Sequence, residues 1–325
     1  MNTLKFAGQS AGTIFCLLFL SVLCVQLHAQ SQDSVFAKAV EGRWDLVIQK
    51  DGKLLPSWLE IEHSGLHTLV GRFVYESGSA RPISVVNIAN GKFNFSIPPQ
   101  WESGNRNMDF EGELVGENIK GVMTFTDGKK YEWTGVRAPL LKRQGEPVWG
   151  KAVKLFNGVD LKGWHTVGEN QWKVENGVLR SLKSGSNLIS DQTFTDFKLH
   201  VEFRYEKGSN SGVYLRGRYE VQIEDSKGKE PWKGYLAAVY GFLTPSEMVA
   251  KSAGEWQTFD ITLIGRMVTV VANGKTVISN QEIPGITGGA LDSKEGEPGP
   301  IFFQGDHGPV DLRNIVITPA VTAAK

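Results

Sequence analysis

Five Asn-Gly or Asp-Gly pairs lie between short runs of alternating apolar and polar residues in this sequence. They are Asp51-Gly52, Asn90-Gly91, Asp127-Gly128, Asn176-Gly177 and Asn273-Gly274. Both central residues of a type I′ hairpin turn need positive φ, which these pairs adopt more readily than other dipeptides. The pattern therefore predicts β-hairpins along the chain and an all-β fold. Only 35–40 and 245–251 have a pattern compatible with short helices.

Composition limits the classes of function that the chain supports. Of its 325 residues, 41% are hydrophobic, which is sufficient for two domains that each have a core. Lysine plus arginine and aspartate plus glutamate each number 35, so no net charge favours nucleic acid or an anionic membrane as a partner. The two cysteines, Cys16 and Cys24, lie near the N-terminus. Zinc ribbons, disulfide frameworks and cysteine nucleophiles are therefore excluded from the rest of the chain.

The N-terminus has the three regions of a secretory signal. Lys5 precedes an apolar run, 14–25, and a short stretch follows with Ala29 at the expected cleavage position. The run is shorter than the about 20 residues that a membrane-spanning helix needs. We therefore expect cleavage after Ala29 and a periplasmic or secreted protein with no membrane span. Lipidation at Cys24 and retention of 1–29 as an anchor are the alternatives.

The chain after the signal divides into two domains at 138–150, a stretch with prolines and clustered charge that is typical of a linker. The first domain, 31–137, has eight candidate strands joined largely by hairpins, which predicts an up-and-down β-barrel. The strands are expected at 42–49, 57–63, 69–76, 82–89, 91–97, 107–115, 118–125 and 130–137. Because the linker has few residues able to bury surface, we expect the two domains to be separable.

The first and last strands of this barrel are similar to those of lipocalins, in which a tryptophan is covered by a late arginine. Trp44 lies near the start of the first strand, and Arg137 ends the last. Two roles are open for the domain. One is to bind a small molecule, and the other is to serve as a structural domain that positions a carbohydrate.

The second domain, 151–320, has a series of motifs in a characteristic order. They are LFNGVDLKGW at 155–164, WKVENGVL at 172–179, DFKLHVEFR at 196–204, NSGVYLR at 210–216, YEVQIED at 219–225, GEW at 254–256, ANG at 272–274, GPI at 299–301, Gln304 and HGPVDLRNI at 307–315. In this order they resemble the 3-keto-disaccharide hydrolase family, which is abundant in bacteria that degrade glycans. The resemblance implies a concanavalin-like jelly-roll β-sandwich. One segment departs from it, because 236–240 reads LAAVY where members often have a run similar to GAIY.

Alternation in the second domain is consistent with a sandwich, since alternate residues of a strand share one face. In 213–224, the apolar face consists of Val213, Leu215, Tyr219, Val221 and Ile223. The polar face consists of Tyr214, Arg216, Arg218, Glu220, Gln222 and Glu224. Alternation alone favours a solvated polar face with ordinary cross-strand ion pairs. The family resemblance instead makes Arg216, Glu220 and Gln222 candidates for the site.

The resemblance implies an enzyme that cleaves 3-keto-glycosides by elimination and hydration. A ketone at C3 of the sugar acidifies the C2 proton, and the glycosidic oxygen on C1 can then leave. Water addition to the resulting 2-hydroxy-3-keto-glucal gives the free 3-keto sugar. This reaction needs a base, an acid and hydrogen-bond donors to the developing enolate. Glu220 is the expected base, and Asp225 or His307 is the expected acid.

Other residues of the family motifs are expected to bind the carbohydrate substrate. They are Asn210, Arg216, Gln222, Glu202, Gln304 and Trp256. Aromatic platforms for a sugar are expected from Trp164, Trp232, Trp256 and Tyr240. No cofactor is indicated, although a divalent cation bound by Glu220, Asp225 or His307 remains open. Because the substrate is an oxidised sugar, the resemblance also implies a functional link to a sugar 3-oxidoreductase.

Two other functions are open. The first is a non-catalytic carbohydrate-binding protein, in which both domains only hold glycan. The second is a direct glycoside hydrolase, since Glu220-x-Gln222-x-Glu224 is similar to the acidic triplet of laminarinase-like enzymes. The central residue of this triplet is an amide, whereas a retaining glycosidase needs two carboxyl groups about 5–5.5 Å apart. The direct glycosidase is therefore the weaker alternative.

Overall fold

The computed structural model describes residues 33–143 and 145–321. The predicted signal, 1–29, lies outside these residues. Within them, no helix is long and apolar enough to cross a membrane. The first stretch predicted to be helical forms part of a helix at 33–40, but 245–251 is not helical. In that second stretch, Ser246 N donates to the Val277 carbonyl at 2.8 Å, so the chain follows a neighbouring strand with an irregular backbone.

The first domain consists of eight antiparallel strands. They are β1 (Gly42–Lys50), β2 (Lys53–Ser64), β3 (Thr68–Val74), β4 (Arg81–Ala89), β5 (Lys92–Ile97), β6 (Met108–Val115), β7 (Asn118–Thr124) and β8 (Lys130–Arg137). The strands close into a barrel in sequence order, because β8 pairs with both β7 and β1. The predicted all-β fold and up-and-down barrel are thus confirmed.

The turn pairs explain the hairpins of this fold, with one exception. Four of the five pairs have positive φ at both residues, as in Asn90 and Gly91, whose φ values are 53° and 70°. In the fifth pair, only Gly128 has positive φ. Asp127 Oδ1 instead accepts a hydrogen bond from Lys129 N at 2.9 Å, which stabilises a longer loop between β7 and β8.

The interior of the barrel is filled by aromatic side chains. The rings of Phe95 and Phe110 stack with their centroids 4.7 Å apart. A Cβ on Gly112 would lie 2.4 Å from the ring of Phe93, so a glycine at this inward position provides space for the ring. The lipocalin-like pair is also present, because the Arg137 guanidinium lies 3.7 Å from the ring centroid of the buried Trp44. The barrel therefore has a packed hydrophobic core.

The second domain is the predicted β-sandwich. Its strands are β9 (Val148–Trp149), β10 (Val153–Lys154), β11 (Trp164–Thr166), β12 (Trp172–Glu175), β13 (Val178–Ser181), β14 (Leu188–Phe194), β15 (Phe197–Tyr205), β16 (Asn210–Leu215), β17 (Tyr219–Glu224), β18 (Gln257–Ile264), β19 (Met267–Ala272), β20 (Lys275–Glu282), β21 (Gly299–Phe303) and β22 (Val310–Val321). The larger sheet has the order β12-β13-β22-β15-β18-β19-β20, with β9 and β10 also paired to β22. The smaller sheet has the order β11-β14-β21-β16-β17.

The core between the two sheets follows the predicted alternation. On β15 of the larger sheet, the alternate residues from Phe197 to Tyr205 are buried. On the smaller sheet, the apolar face of β16 and β17 is buried in the same cluster. The polar face of β17 is also buried, since Glu220 and Gln222 are 3% and 2% exposed. The expectation of a solvated face is therefore wrong for this sheet, because loops and the barrel cover it.

The barrel and the sandwich share a hydrophobic core. Trp58 of β2 is fully buried, and its ring meets Phe242 of the sandwich edge to face, with the centroids 5.4 Å apart. Val74 and Ala80 of the barrel belong to the same apolar cluster. A Cβ on Gly285 would lie 2.2 Å from Trp58 Nε1, so this glycine lets the sandwich backbone approach the indole. The shared core argues against the expectation that the two domains are separable.

Polar contacts reinforce the boundary between the domains. Ser293 Oγ of the sandwich donates to the Leu46 carbonyl of the barrel at 2.6 Å. The linker also packs against the sandwich, since Arg143 Nε lies 2.7 Å from Asp196 Oδ2 and β9 pairs with β22. The stretch between the domains is thus part of the folded structure.

Candidate active site

A cavity of about 500 Å³ lies where the smaller sheet meets the barrel. The sandwich contributes polar side chains from the sheet and its loops: Asn210, Tyr214, Glu220, Gln222, Gln304 and His307. The barrel contributes Ser77, Gly78 and Trp101 from two of its loops. All of these six sandwich residues except Tyr214 were predicted from the sequence to belong to the site. The cavity brings them together with residues of the other domain.

Two neighbouring strands position most of these side chains. β16 and β17 form a hairpin in which Tyr214 lies opposite Glu220, and Gly212 lies opposite Gln222. Because alternate residues share a face, Tyr214, Glu220 and Gln222 face the cavity while the residues between them face the core. A Cβ on Gly212 would lie 2.3 Å from Glu220 Oε1. The glycine therefore provides the space that the carboxyl group occupies.

Glu220 is buried, and two neighbours hold its carboxyl group. The Tyr214 hydroxyl lies 2.9 Å from Oε2. In the orientation that satisfies its hydrogen bonds, the Gln222 amide donates to Glu220 Oε1 at 3.1 Å and to the Ser211 carbonyl at 2.8 Å. Burial raises the pKa of Glu220 to about 8, although the hydrogen bond from Tyr214 and the charge of His307 oppose this shift. The carboxylate is therefore a stronger base than an exposed one.

The Tyr214 hydroxyl connects Glu220 to the backbone. It lies 2.9 Å from Glu220 Oε2 and 2.8 Å from the Gly288 carbonyl oxygen. A hydroxyl has a single proton, so it donates to one of these acceptors at a time. A protonated Glu220 can donate to the Tyr214 oxygen while the hydroxyl donates to Gly288. An ionised Glu220 can accept from the hydroxyl instead, so the network accommodates both states.

Replacing Tyr214 by phenylalanine is expected to raise the pKa of Glu220 further. The hydrogen bond from Tyr214 favours the carboxylate, and its loss leaves the effect of burial less opposed. If Glu220 acts as a base, kcat/KM rises with pH near pH 8 in the wild type, and this limb moves to higher pH in the variant. The measurement is the pH profile of kcat/KM for both proteins. A limb that stays in place or moves to lower pH contradicts the prediction.

His307 lies beside Asp306 in the loop between β21 and β22. Its Nδ1 is 2.7 Å from Asp306 Oδ1. This hydrogen bond raises the pKa of His307 above its usual 6.5, against the opposing effect of burial. The charge of Glu220 also favours the imidazolium. The cavity therefore contains two titratable side chains, Glu220 and His307, whose pKa values are both raised.

Two side-chain amides in the lining can hold a sugar. Asn210 Oδ1 and Gln304 Oε1 are buried, and no donor within 33–143 or 145–321 reaches either oxygen. Buried polar atoms in native proteins are usually hydrogen-bonded. Since a sugar presents hydroxyl donors, these amides are suited to bind a pyranose beside Glu220.

The segment that departs from the family pattern, 236–240, pairs with the free edge of β17. Gln222 N donates to the Ala238 carbonyl at 2.9 Å, and Tyr240 N donates to the Glu220 carbonyl at 3.0 Å. This pairing covers the edge of the smaller sheet. It also places Tyr240, one of the expected aromatic platforms, in the lining of the cavity.

Two residues expected in the site belong to the same hairpin but do not line the cavity. Arg216 lies past the end of β16 with a φ of 53°, so the alternation no longer applies to it. Its buried guanidinium donates to the Tyr219 hydroxyl at 3.0 Å and to the Gly265 carbonyl at 2.8 Å. Asp225 follows β17 and accepts a hydrogen bond from Gly208 N at 3.0 Å, which stabilises a turn. The structure thus corrects the predicted placement of both residues.

Two further candidates lie on the outer face of the larger sheet. Glu202 Oε2 is 2.6 Å from Arg313 Nε, and its Oε1 is 2.5 Å from Asn314 Nδ2. The Trp256 ring packs against guanidinium groups, with Arg313 Cζ 3.9 Å and Arg204 Cζ 4.8 Å from its centroid. Alternation predicts which residues share a polar face, but it does not tell which sheet carries the site. The placement of Glu202 and Trp256 is therefore also corrected.

The other expected aromatic platforms do not line the cavity. Trp164 is 7% exposed and packs in the core, with its ring centroid 5.4 Å from that of Phe303. Trp232 is 50% exposed and meets Tyr235 edge to face. Of the aromatic residues named from the sequence as platforms, Tyr240 is the one that reaches the cavity.

The lining also contains residues that the sequence did not indicate as site residues, among them Tyr214, Asp306 and Trp101. Tyr214 shares the polar face with Glu220, so alternation was a signal for it. Asp306 directly precedes the expected acid, His307, and this proximity was a second signal. Trp101 lies in the other domain, and no local pattern connects it to the site.

The three residues considered as ligands of a divalent cation, Glu220, Asp225 and His307, do not lie together in one cavity. Asp225 lies outside the cavity that contains Glu220 and His307. In the part of the chain that the structure describes, no three or more His, Cys, Asp or Glu residues are grouped so that they could bind a metal ion.

Known proteins are similar to parts of this chain. A 3-keto-disaccharide hydrolase from Bacteroides thetaiotaomicron is 28% identical over an alignment of 91 residues, and the match covers 24% of this chain and 31% of that protein. The match thus spans about a third of the length of that relative. A solved structure from Parabacteroides distasonis, provisionally assigned as a glycosyl hydrolase, is 28% identical with a TM-score of 0.46, covering 54% of this chain and 92% of that chain. A carbohydrate-binding module from Bacillus subtilis is 12% identical with a TM-score of 0.34, covering 48% of this chain and 95% of that chain.

The family assignment comes from the sandwich. The model of the 3-keto-alpha-glucoside-1,2-lyase-like domain matches residues 151–318. This region is more than half of the 325 residues and contains β16, β17 and the loop with His307. The chain therefore belongs to the family of 3-keto-alpha-glucoside-1,2-lyase-like domains.

Proposed function

We propose that this protein cleaves the glycosidic bond of 3-keto-glycosides by elimination across C1 and C2, followed by hydration of the 2-hydroxy-3-keto-glucal. The observation that carries the proposal is the buried Glu220 carboxyl group, with its pKa raised to about 8, in one cavity with the paired His307 and Asp306. The family of 151–318 and the name of the Bacteroides thetaiotaomicron relative support the same class of substrate.

The geometry supports a division of roles among the lining residues. Glu220 removes the proton on C2, and the enolate that forms expels the glycosidic oxygen from C1. His307 donates a proton to this oxygen as the aglycone leaves. Water then adds its oxygen to C1 while C2 regains a proton, so the net change is hydrolysis. Asn210 and Gln304 hold the sugar, and Gln222 orients the carboxyl group of Glu220.

A direct glycosidase is less well supported by the site. Of the acidic triplet, Glu220 and Gln222 line the cavity, whereas Glu224 pairs with Lys229 at 3.3 Å. The other carboxyl group in the lining belongs to Asp306, which is bound to His307. A binding protein has no need of a buried carboxyl group, whose ionised form is costly to desolvate. The lining is better suited to proton transfer at C2.

We further propose that the protein acts outside the cytoplasm. The signal pattern formed by Lys5, the apolar run 14–25 and Ala29 supports export. The substrate must come from an oxidoreductase that converts the C3 hydroxyl of a glycoside to a ketone, since the ketone is what acidifies the C2 proton.

Methyl 3-keto-glucoside and methyl glucoside, each incubated with the protein in deuterated water, test the reaction. We expect methanol release from the ketone and negligible release from the unoxidised glucoside, because only the ketone makes the C2 proton removable. The recovered 3-keto sugar is expected to contain deuterium at C2, because that carbon is reprotonated from solvent during hydration. Mass spectrometry and proton NMR measure both products.

The possible outcomes distinguish the three functions. Equal rates on the two glucosides favour a direct glycosidase. Binding of both without cleavage favours a carbohydrate-binding protein. Cleavage of methyl 3-keto-glucoside without incorporation of deuterium at C2 contradicts the elimination step, even if the substrate class is correct.

A further inference from the structure

A second cavity, with a volume of about 540 Å³, lies between the barrel and the sandwich. Strands β1, β2 and β8 of the barrel contribute one part of its lining, and residues 291–297, in the loop between β20 and β21, contribute another. None of its described lining residues also lines the cavity that contains Glu220. Its volume falls within the about 300–1,000 Å³ that is typical of ligand sites.

Apolar side chains form much of this lining. They are Val47, Leu54, Pro56, Val136, Pro139 and Leu291. Of these, Leu54 and Val136 are 71% and 52% exposed, although both belong to strands of the barrel. Exposed apolar side chains that are grouped in a cleft favour the binding of an apolar group. The cavity therefore offers a surface on which the apolar body of a ligand can pack.

Asp45 is a buried carboxyl group in the same lining. On β1, Trp44 and Leu46 belong to the barrel core, so Asp45 between them faces outward, toward the sandwich. Asp45 is 4% exposed, and no donor among the described residues reaches its Oδ1. Because buried polar atoms are usually hydrogen-bonded, this oxygen is available to a donor from outside the chain.

Glu295 of the sandwich loop provides a second oxygen of this kind. The residue is fully buried, and Arg266 Nε donates to its Oε2 at 2.6 Å. Its Oε1 has no hydrogen-bond partner within 33–143 or 145–321. The nearby Asp292 carboxylate is bound by Arg218, whose Nε lies 2.6 Å from Oδ1. Each carboxylate of this loop that lies near Asp45 is thus paired with an arginine, whereas Asp45 Oδ1 has no donor.

Burial and the charge of Glu295 raise the pKa of Asp45 to about 8, while the charges of Arg266 and Arg218 oppose this shift. Asp292 adds a further negative charge nearby. The ionised form of Asp45 is therefore costly unless a cation contacts it. A cation bound in the cavity would favour that form.

Among the described lining residues, two are basic, and neither donates to Asp45 Oδ1. Lys294 Nζ lies 3.9 Å from Glu297 Oε2. The Arg137 guanidinium stacks on Trp44 and donates to two backbone carbonyl groups just before β1. Since both bases are engaged elsewhere, a ligand can supply the positive partner that Asp45 lacks.

We propose that this cavity is a second binding site and that its ligand is an organic cation, with an ammonium group on Asp45 and an apolar body on Leu54 and Val136. An ammonium has three donors and a positive charge, so it can serve Asp45 Oδ1 and Glu295 Oε1 and neutralise Asp45. A hydroxyl has one proton and no charge, and a metal ion would leave the apolar lining without a partner. The inference is independent of the proposed function, because it concerns other residues in another cavity.

Three probes of similar shape test the charge that the site accepts: phenethylammonium, 2-phenylethanol and phenylacetate. Calorimetry with the full chain near pH 8 measures each dissociation constant. We expect phenethylammonium to bind at least about 10-fold more tightly than the alcohol, because only the cation pairs with Asp45. Phenylacetate is expected to bind more weakly than the alcohol, because its carboxylate would meet Asp45 and Glu295.

Asp45→Asn is expected to weaken phenethylammonium at least about 10-fold and to leave the alcohol nearly unchanged, since the amide keeps the shape of the side chain but not its charge. Asp109→Asn is the matched control, because Asp109 is a barrel carboxylate outside this lining whose side chain is 49% exposed. Leu54→Lys changes an exposed residue, so it should fold normally while placing a competing cation in the cavity. It is expected to weaken phenethylammonium by a similar factor.

The pH dependence of binding separates the role of the charge from lost packing. Phenethylammonium should bind more tightly as the pH rises toward about 8, because Asp45 loses its proton over this range. The probe itself remains charged, since its ammonium is similar to that of lysine, whose pKa is about 10.4. In Asp45→Asn this rise in affinity is expected to disappear.

Equal affinities for the ammonium and the alcohol overturn the inference, as does tighter binding of phenylacetate. Unchanged binding of phenethylammonium in a folded Asp45→Asn variant also overturns it, and so does the absence of binding by the wild type. Thermal midpoints show whether each variant is folded. If Asp45→Asn does not fold, Leu54→Lys decides, because weaker binding there supports the site and unchanged binding overturns it.

Discussion

Replacing Glu220 by glutamine is expected to lower kcat on 3-keto-glycosides by at least about 100-fold, the lower end of the range for general acid–base groups. Glutamine has nearly the same shape, so it fits the space beside Gly212 and keeps a contact with Tyr214. It cannot take up the C2 proton at neutral pH. The measurement is steady-state kinetics on methyl 3-keto-glucoside, with the thermal midpoint recorded for each protein to show that the variant is folded.

Glu224→Gln is the matched control for this substitution. Glu224 lies on the same strand and pairs with Lys229 at 3.3 Å, outside the lining of the cavity. The same chemical change there is expected to leave kcat close to the wild-type value. If a folded Glu220→Gln variant also has near-wild-type kcat, Glu220 is not the base. His307 would then be the remaining candidate among the expected catalytic residues in the cavity.

Removing the barrel is expected to abolish activity and to destabilise the sandwich. The fragment 148–325 lacks Trp58, Val74 and Ala80, which belong to the hydrophobic core of the sandwich. It also lacks the barrel wall of the cavity with Trp101. The measurements are the cooperativity of thermal unfolding, followed by circular dichroism, and kcat on methyl 3-keto-glucoside. A fragment that unfolds cooperatively and retains kcat would restore the expectation of separable domains.

A substitution in the full chain tests the same interface without a deletion. Trp58→Ala is expected to lower the free energy of unfolding by about 3–5 kcal/mol, because it removes a buried indole and leaves a cavity beside Phe242. Leu66→Ala is the control, since Leu66 of the barrel is 85% exposed and should change stability by less than about 0.5 kcal/mol. Equal small effects of the two substitutions would contradict the shared core.

The family motifs predicted part of the cavity lining. Glu220 and His307 both line the cavity, as do Asn210, Gln222 and Gln304. Arg216, Asp225, Glu202 and Trp256 do not. The reason is that alternation is reliable only within a strand and on a known sheet. Arg216 lies past a strand end, where positive φ turns its side chain to the core, and Glu202 lies on the sheet that faces away from the cavity.

By itself, the sequence determined the strands, most of the hairpin turns and the face that Glu220 shares with Gln222. These features depend on residues close together in the chain, through turn conformation and the alternation of side chains along a strand. Only the tertiary structure decided that this face is the wall of a cavity. The opposite wall comes from Trp101 of the barrel, and His307 comes from the loop between β21 and β22. Burial by these distant segments also sets the raised pKa of Glu220, because desolvation depends on everything packed around the carboxyl group and not on its neighbours in sequence.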